Sequence, residues 1–226
     1  MGDNTTEVQG RPNDHQQSDV PLIVAVACFA GDLSAPSELV SALPADCGAA
    51  FIFVQQLSAG RERLLAEALA SRTPLPVMDA CDGLVAEHDH IYVVPPNASP
   101  TMTGGRIHVP PAGSGIDGAT DTLFASLAQE FGSSAIGVIL SGGGSDRAHG
   151  IRAIRQAGGI TFAQYPGSAR FPNLPISAID TGCVDFVLRP DEIAHELARI
   201  SRTYKHRQVR HYARHRTEAG SSVGAA

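Results

Sequence analysis

The chain of 226 residues reads as a single-domain α/β protein. The expected core is a doubly wound, mainly parallel sheet with helices on both faces and a small β-hairpin insertion. Three observations carry that expectation. Short, wholly apolar runs recur at 22–27, 50–54 and 135–140, as parallel strands buried on both faces require. Amphipathic stretches of helical length separate them. One Gly-Gly pair, Gly104-Gly105, sits between two short alternating runs and reads as a hairpin.

The elements follow in order. Residues 1–20 are polar, without periodicity, and are expected to be a disordered lead. Leu22-Ile23-Val24-Ala25-Val26 opens the first strand and ends in the turn Ala27-Cys28-Phe29-Ala30-Gly31-Asp32. Ser34 can cap a helix through Leu43, with Pro36 tolerated in its first turn. Further strands are expected at 50–54, 90–94, 135–140, 160–164 and 184–188, and the hairpin at 101–109. Helical patterns cover 60–71, 120–131, 147–157, 174–181 and 190 to about 204. The domain is thus 21–201, and residues 202–226 read as a basic, then flexible, C-terminal tail. No internal repeat is present.

Bulk properties narrow the function classes. A hydrophobic content of 43% is that of an ordinary globular domain. No apolar run approaches the roughly 20 residues that span a bilayer, so no membrane insertion is expected. The start lacks a signal-peptide core, and the four cysteines (Cys28, Cys47, Cys81 and Cys183) form no C-x-x-C pair. Reduced thiols in a cytoplasmic protein account for both. The net charge of −6 is uneven: 199–216 holds seven of the 17 basic residues and no acidic one, leaving ten basic and 23 acidic residues elsewhere. A body this acidic repels nucleic acid.

In doubly wound sheets, sites form at the carboxyl ends of strands. Three such ends stand out: Ala27–Asp32, Gln55–Gly60 and Ser141–Asp146. They resemble the catalytic domain of CheB-type protein-glutamate methylesterases. That family has Gly-Ala-Ser-x-Gly-Gly where this chain has Ala27-Cys28-Phe29-Ala30-Gly31-Asp32. It has Gln-His at Gln55-Gln56, and Leu-Thr-Gly-Met-Gly-x-Asp-Gly at Leu140-Ser141-Gly142-Gly143-Gly144-Ser145-Asp146-Arg147. Weaker matches run in order from Asp82-Gly83 and Ile91–Pro95 through Asp121–Leu127, Ala157–Gln164 and Phe171–Pro175 to Val184-Asp185. Together they cover about 22–200.

The resemblance implies a Ser-His-Asp triad acting on glutamyl methyl esters of chemoreceptors, without a cofactor or metal. By position it assigns the nucleophile to Phe29, the general base to Gln56 and the orienting acid to Asp146. Only Asp146 keeps its chemistry. A benzyl group cannot form an acyl intermediate, and an amide does not titrate near neutrality. Losing both partners of such a unit costs roughly 10⁶ in turnover, or about 8 kcal/mol. Other departures agree. Asp32 replaces a glycine where a carboxylate would oppose a developing oxyanion. Gly143 replaces a methionine of the implied oxyanion hole. Gly115-Ile116-Asp117-Gly118-Ala119 stands where the family carries Arg-His-Arg-Pro-Ser, which removes cations suited to an acidic receptor segment.

The expected function is therefore a catalytically inactive methylesterase-like domain of a chemotaxis-type system. It would bind a protein partner, of which a chemoreceptor-like protein is one candidate. The alternative is an active ester hydrolase using Cys28 or Ser141 as the nucleophile. Against it, Cys28 reads as a core thiol and Ser141 as a hydroxyl tying down the glycine-rich turn. Gly142-Gly143-Gly144 could cradle an anion but matches no phosphate-binding pattern. Asp146 and His149 share a helix face, and His88-Asp89-His90 lacks a third metal ligand. The basic segment 199–216 is either solvated or docks onto an acidic surface. With only twenty polar residues ahead of the domain in this sequence, the receiver domain that family members commonly carry is not expected.

Overall fold

A computed structural model describes residues 21–29, 31–56, 64–96, 98–110, 118–143 and 149–221, with backbone alone at Phe29, Gln56 and 206–221. The strands are β1 (Leu22–Phe29), β2 (Ala49–Gln56), β3 (Val77–Asp79), β4 (Leu84–Val85), β5 (His90–Val93), β6 (Thr101–Thr103), β7 (Arg106–His108), β8 (Ile136–Ile139), β9 (Ile160–Gln164) and β10 (Phe186–Leu188). The helices are α1 (Ser34–Ser41), α2 (Leu64–Ala70), α3 (Ala119–Phe131), α4 (His149–Gln156), α5 (Asn173–Asp180) and α6 (Pro190–Ser221).

Seven strands form one parallel sheet in the order β10-β9-β8-β1-β2-β5-β3. From the central strand β1 the chain passes through β2 to the edge strand β3 and then comes back to β5, which lies between them. It then returns beside β1 at β8 and proceeds outward through β9 to β10. The reversal falls between β1 and β8, so their carboxyl ends flank the crevice where doubly wound sheets bind ligands. The expected hairpin is β6 and β7, which with β4 makes a separate antiparallel sheet.

The alternation of β1 divides the core. Leu22, Val24, Val26 and Cys28 enter one apolar layer with Leu39 and Val40 of α1, Leu65 and Leu69 of α2, and Ile193 and Leu197 of α6. Ile23, Ala25 and Ala27 enter the opposite layer with Leu123 and Phe124 of α3, Ile151 and Ile154 of α4, and Leu174 of α5. Period-two side-chain alternation on a strand buried from both sides produces this partition.

Every expected helix and strand has a counterpart among the described residues, with shifted ends. Two short strands were not anticipated. β3 follows Pro74 and Pro76 and is mostly exposed, and β4 has two residues, so neither shows an apolar run. The expected strand at 184–188 begins at Phe186, because Asp185 is occupied in holding the start of β9. The helix placed at 190 to about 204 is longer than expected and takes in much of the segment placed as a tail at 202–226, of which 222–226 lie outside the described residues. α6 continues through Ser221, because no proline follows Pro190 and the first glycine comes at Gly220. Pro190 opens α6 with its fixed backbone angle, and Glu192 Oε2 accepts the Arg189 N–H at 2.8 Å.

Candidate functional site

The ends of β1 and β2 stand side by side. Parallel pairing sets Ala27 against Val54, Cys28 against Gln55 and Phe29 against Gln56. The two positions that the resemblance gives to nucleophile and base are therefore direct neighbours across the ladder, about 4.8 Å apart along the hydrogen-bonding direction. On the other flank, Ala27 pairs with Ile139, and Leu140 N–H donates to the Ala27 carbonyl at 2.9 Å. Continuing that register brings Ser141 level with Phe29. Asp146 lies outside the described residues, as do Gly144 and the 57–60 stretch after Gln56.

Cys28 is 2% exposed and packs in the layer beneath α1 and α6. Its Sγ approaches the Val54 carbonyl at 3.9 Å. Burial, with a smaller push from the Asp32 carboxylate, drives the thiol pKa up to about 12. A nucleophilic cysteine needs the reverse, an electropositive setting that lowers the value. Nothing described around Cys28 favours a thiolate.

Ser141 is fully buried. Its backbone N–H donates to Gln164 Oε1 at 2.8 Å, and its Oγ accepts the Phe171 N–H at 3.0 Å. The next residue extends the same join: Gly142 N–H donates to the Phe171 carbonyl at 2.8 Å, and Leu174 N–H donates back to the Gly142 carbonyl at 2.9 Å. A Cβ on Gly142 would lie 2.6 Å from Leu174 Cδ2, so only glycine lets α5 approach this closely. The turn after β8 is thus stitched to the segment leading into α5, and the Ser141 hydroxyl is part of the stitching.

Gln164, 1% exposed at the end of β9, is the residue that sequence reasoning passed over. Its amide nitrogen donates to Ser168 Oγ at 3.2 Å while its oxygen holds Ser141. The available signal was a polar residue closing an apolar strand, the same feature that marked Gln55-Gln56.

Asp32 turns the β1 end toward α1. It is 2% exposed, and Oδ1 accepts both the backbone N–H of Ser34, at 3.0 Å, and the Ser34 hydroxyl. Burial pushes its pKa up, but the Ser141 hydroxyl and the Ser34 donors outweigh burial and hold the carboxyl below its ordinary range. Oδ2 itself has no hydrogen-bond partner within ordinary geometry among the described residues. Asp32 is thereby an anionic cap on the first turn of α1.

The remaining candidates resolve into turns and clamps. His149 is exposed at the first position of α4, whose second residue, Gly150, donates its N–H to Asp121 Oδ1 at 2.6 Å. Asp89 adopts a left-handed backbone (φ 62°) and accepts the Gly48 N–H at 2.6 Å, while the His88 and His90 rings contact the Gly48 and His88 carbonyls at 3.0 and 2.8 Å. Among the described residues no cluster of histidine, cysteine, aspartate or glutamate could hold a metal ion. Asp82 accepts the Val109 N–H at 3.1 Å in the turn before β4. Asp185 Oδ2 accepts the N–H and hydroxyl of Thr161, at 3.0 and 2.9 Å, and its Oδ1 meets Arg155 at 3.2 Å.

This crevice, at the reversal point of a parallel sheet, is that of a doubly wound α/β domain. The CheB methylesterase family model matches residues 24–197, and the chain belongs to that family. It is 37% identical over 186 residues to a protein-glutamate methylesterase/protein-glutamine glutaminase of Anaeromyxobacter dehalogenans, covering 80% of this chain and 54% of that protein. A Pyrococcus abyssi protein of the same name is 31% identical over 184 residues, covering 79% and 50%. The chain therefore spans about half the length of these curated relatives. The crystal structure of the Thermotoga maritima CheB methylesterase catalytic domain superposes with a TM-score of 0.71 at 25% identity, covering 79% of this chain and 97% of that one. Among the described residues, no helix is long and apolar enough to cross a membrane.

Proposed function

We propose that this domain has lost acyl transfer and acts by binding a protein partner of the chemoreceptor-like kind, in a chemotaxis-type signalling system. One observation carries the reading: Phe29 and Gln56 are paired residues at the ends of adjacent strands. The two positions that resemblance assigns to nucleophile and base thus sit together in the retained architecture, and neither side chain can transfer a proton or an acyl group. Ester and carboxamide hydrolysis, the two reactions in the relatives' names, fail for the same reason.

The alternative nucleophiles gain no support from their surroundings. Cys28 is sealed in an apolar layer with its thiol pKa raised to about 12. Ser141 is fully buried and its Oγ is taken up by the Phe171 N–H, while the neighbouring Asp32 carboxyl is held below its ordinary range and is a weak base.

The test is methanol release from a methyl-esterified receptor peptide, and ammonia release from its glutamine counterpart, by the purified chain. Neither is expected above the uncatalysed rate. Turnover that disappears in Cys28→Ala or Ser141→Ala would defeat the proposal. The double variant Phe29→Ser/Gln56→His asks whether the rest of the cleft remains competent; with Asp32 and Gly143 still in place, recovery is expected to be partial.

A further inference from the structure

The two edges of the seven-stranded sheet are guarded differently. β3 is preceded by Pro74 and Pro76 and ends on Asp79, which are protections that natural sheets use against edge pairing. β10 has no proline before it and no charge within its three residues, Phe186-Val187-Leu188. Both faces of β10 are partly exposed, although Leu188 packs against the α6-side layer. Phe186, which stacks on Phe162 at 5.1 Å, is 37% exposed on the α6 side. Val187, paired with Ala163 of the opposite layer, is 39% exposed. Tyr165, whose N–H donates to the Leu188 carbonyl at 2.7 Å, is 50% exposed at the same edge.

The residues around this edge complement themselves. In Asp185-Phe186-Val187-Leu188-Arg189, an antiparallel pairing of two copies centred on Val187 sets Val187 against Val187. It sets Phe186 against Leu188 on one face, and Asp185 against Arg189 at both ends. Slipping by one residue puts side chains on the wrong faces. Slipping by two leaves Asp185 or Arg189 opposite a valine. One register therefore satisfies both apolar packing and charge.

We propose that β10 is a self-association edge, through which two copies of this chain join antiparallel about Val187 into one continuous sheet. Asp185 can take part without leaving its own clamp. Its Oδ2 holds Thr161 and its Oδ1 meets Arg155, and a carboxylate offers about four acceptor sites. The Arg189 N–H is held by Glu192 Oε2 and its carbonyl by the Ile193 N–H, so the ladder stops short of Arg189 on each side, the contact is short and the dimer is reversible rather than obligate.

Sedimentation equilibrium of the full chain over a wide concentration range tests this. A monomer–dimer equilibrium is expected in the native chain. Val187→Lys, which places two ammonium groups face to face, should weaken it at least about tenfold. Arg189→Glu, exposed and outside the core, should weaken it as well by setting a second carboxylate against Asp185. Met78→Lys on the opposite edge should leave it unchanged. Far-UV circular dichroism confirms that each variant is folded. A native chain that stays monomeric, or a dimer that tolerates Val187→Lys and Arg189→Glu, or one lost in Met78→Lys, overturns the proposal.

Discussion

The carboxyl ends of β1 and β8 adjoin in the sheet, yet they relate to the fold in opposite ways. At the β8 end, Ser141 and Gly142 are tied through Gln164, Phe171 and Leu174, and each contact is dictated by backbone geometry or by lack of space. At the β1 end, the Asp32 carboxylate serves mainly to hold the first turn of the adjoining helix through Ser34, and Oδ2 has no hydrogen-bond partner among the described residues. The first end belongs to the scaffold and the second is built onto it. A cleft can lose its chemistry at β1 without the sheet noticing, provided the β8 turn persists.

Substitutions can break that contrast. Gly142→Val should be the most damaging, costing about 3 kcal/mol, because its side chain must displace Leu174 and with it the start of α5. Urea denaturation measures the loss, and a change under about 1 kcal/mol would mean that α5 is free to move aside. Gln164→Leu should come next, at about 2 kcal/mol, since it leaves the Ser141 N–H buried without an acceptor. Cys28→Ala should cost about 1 kcal/mol through the small void it opens, and it should leave the hydrolytic rate at its uncatalysed level.

Asp32→Asn sharpens the comparison with the smallest effect. Asparagine caps a helix about as well as aspartate, so only a few tenths of a kcal/mol should be lost at neutral pH. The pH dependence differs more. The folded-state pKa of Asp32 lies below its ordinary value. Its contribution is therefore complete above the unfolded value, about 4, and fades as pH falls through the folded one. The variant should lose that part of the acid-side decline in thermal midpoint. Identical acid profiles for the two proteins would show that the carboxylate contributes nothing as an ion.

The sheet was readable where hydrophobicity alone decides structure. β1, β8 and the body of β2 are apolar because both faces are covered; the strand-end rule then pointed to the segments after them, in which the resemblance picked out Phe29 and Gln56. β3 and β4 escaped notice because strands of three and two residues at an exposed edge bury too little to leave a pattern. α6 outran its expected end because a polar, basic sequence without breakers is still a good helix. Gln164 was invisible as a clamp, since its partner lies 23 residues earlier and only the folded chain brings them together. The join from Thr161 to Asp185 was hidden likewise.

The four thiols occupy graded depths: Cys28 and Cys47 sealed, Cys183 half-covered, Cys81 at the surface. A thiol reagent should accordingly tag Cys81 at once, Cys183 during local breathing, and the two sealed sites only when the layer under α1 and α6 opens. The chain thus carries its own depth gauge, and mass spectrometry of the labelled peptides would read which part of the molecule loosens first.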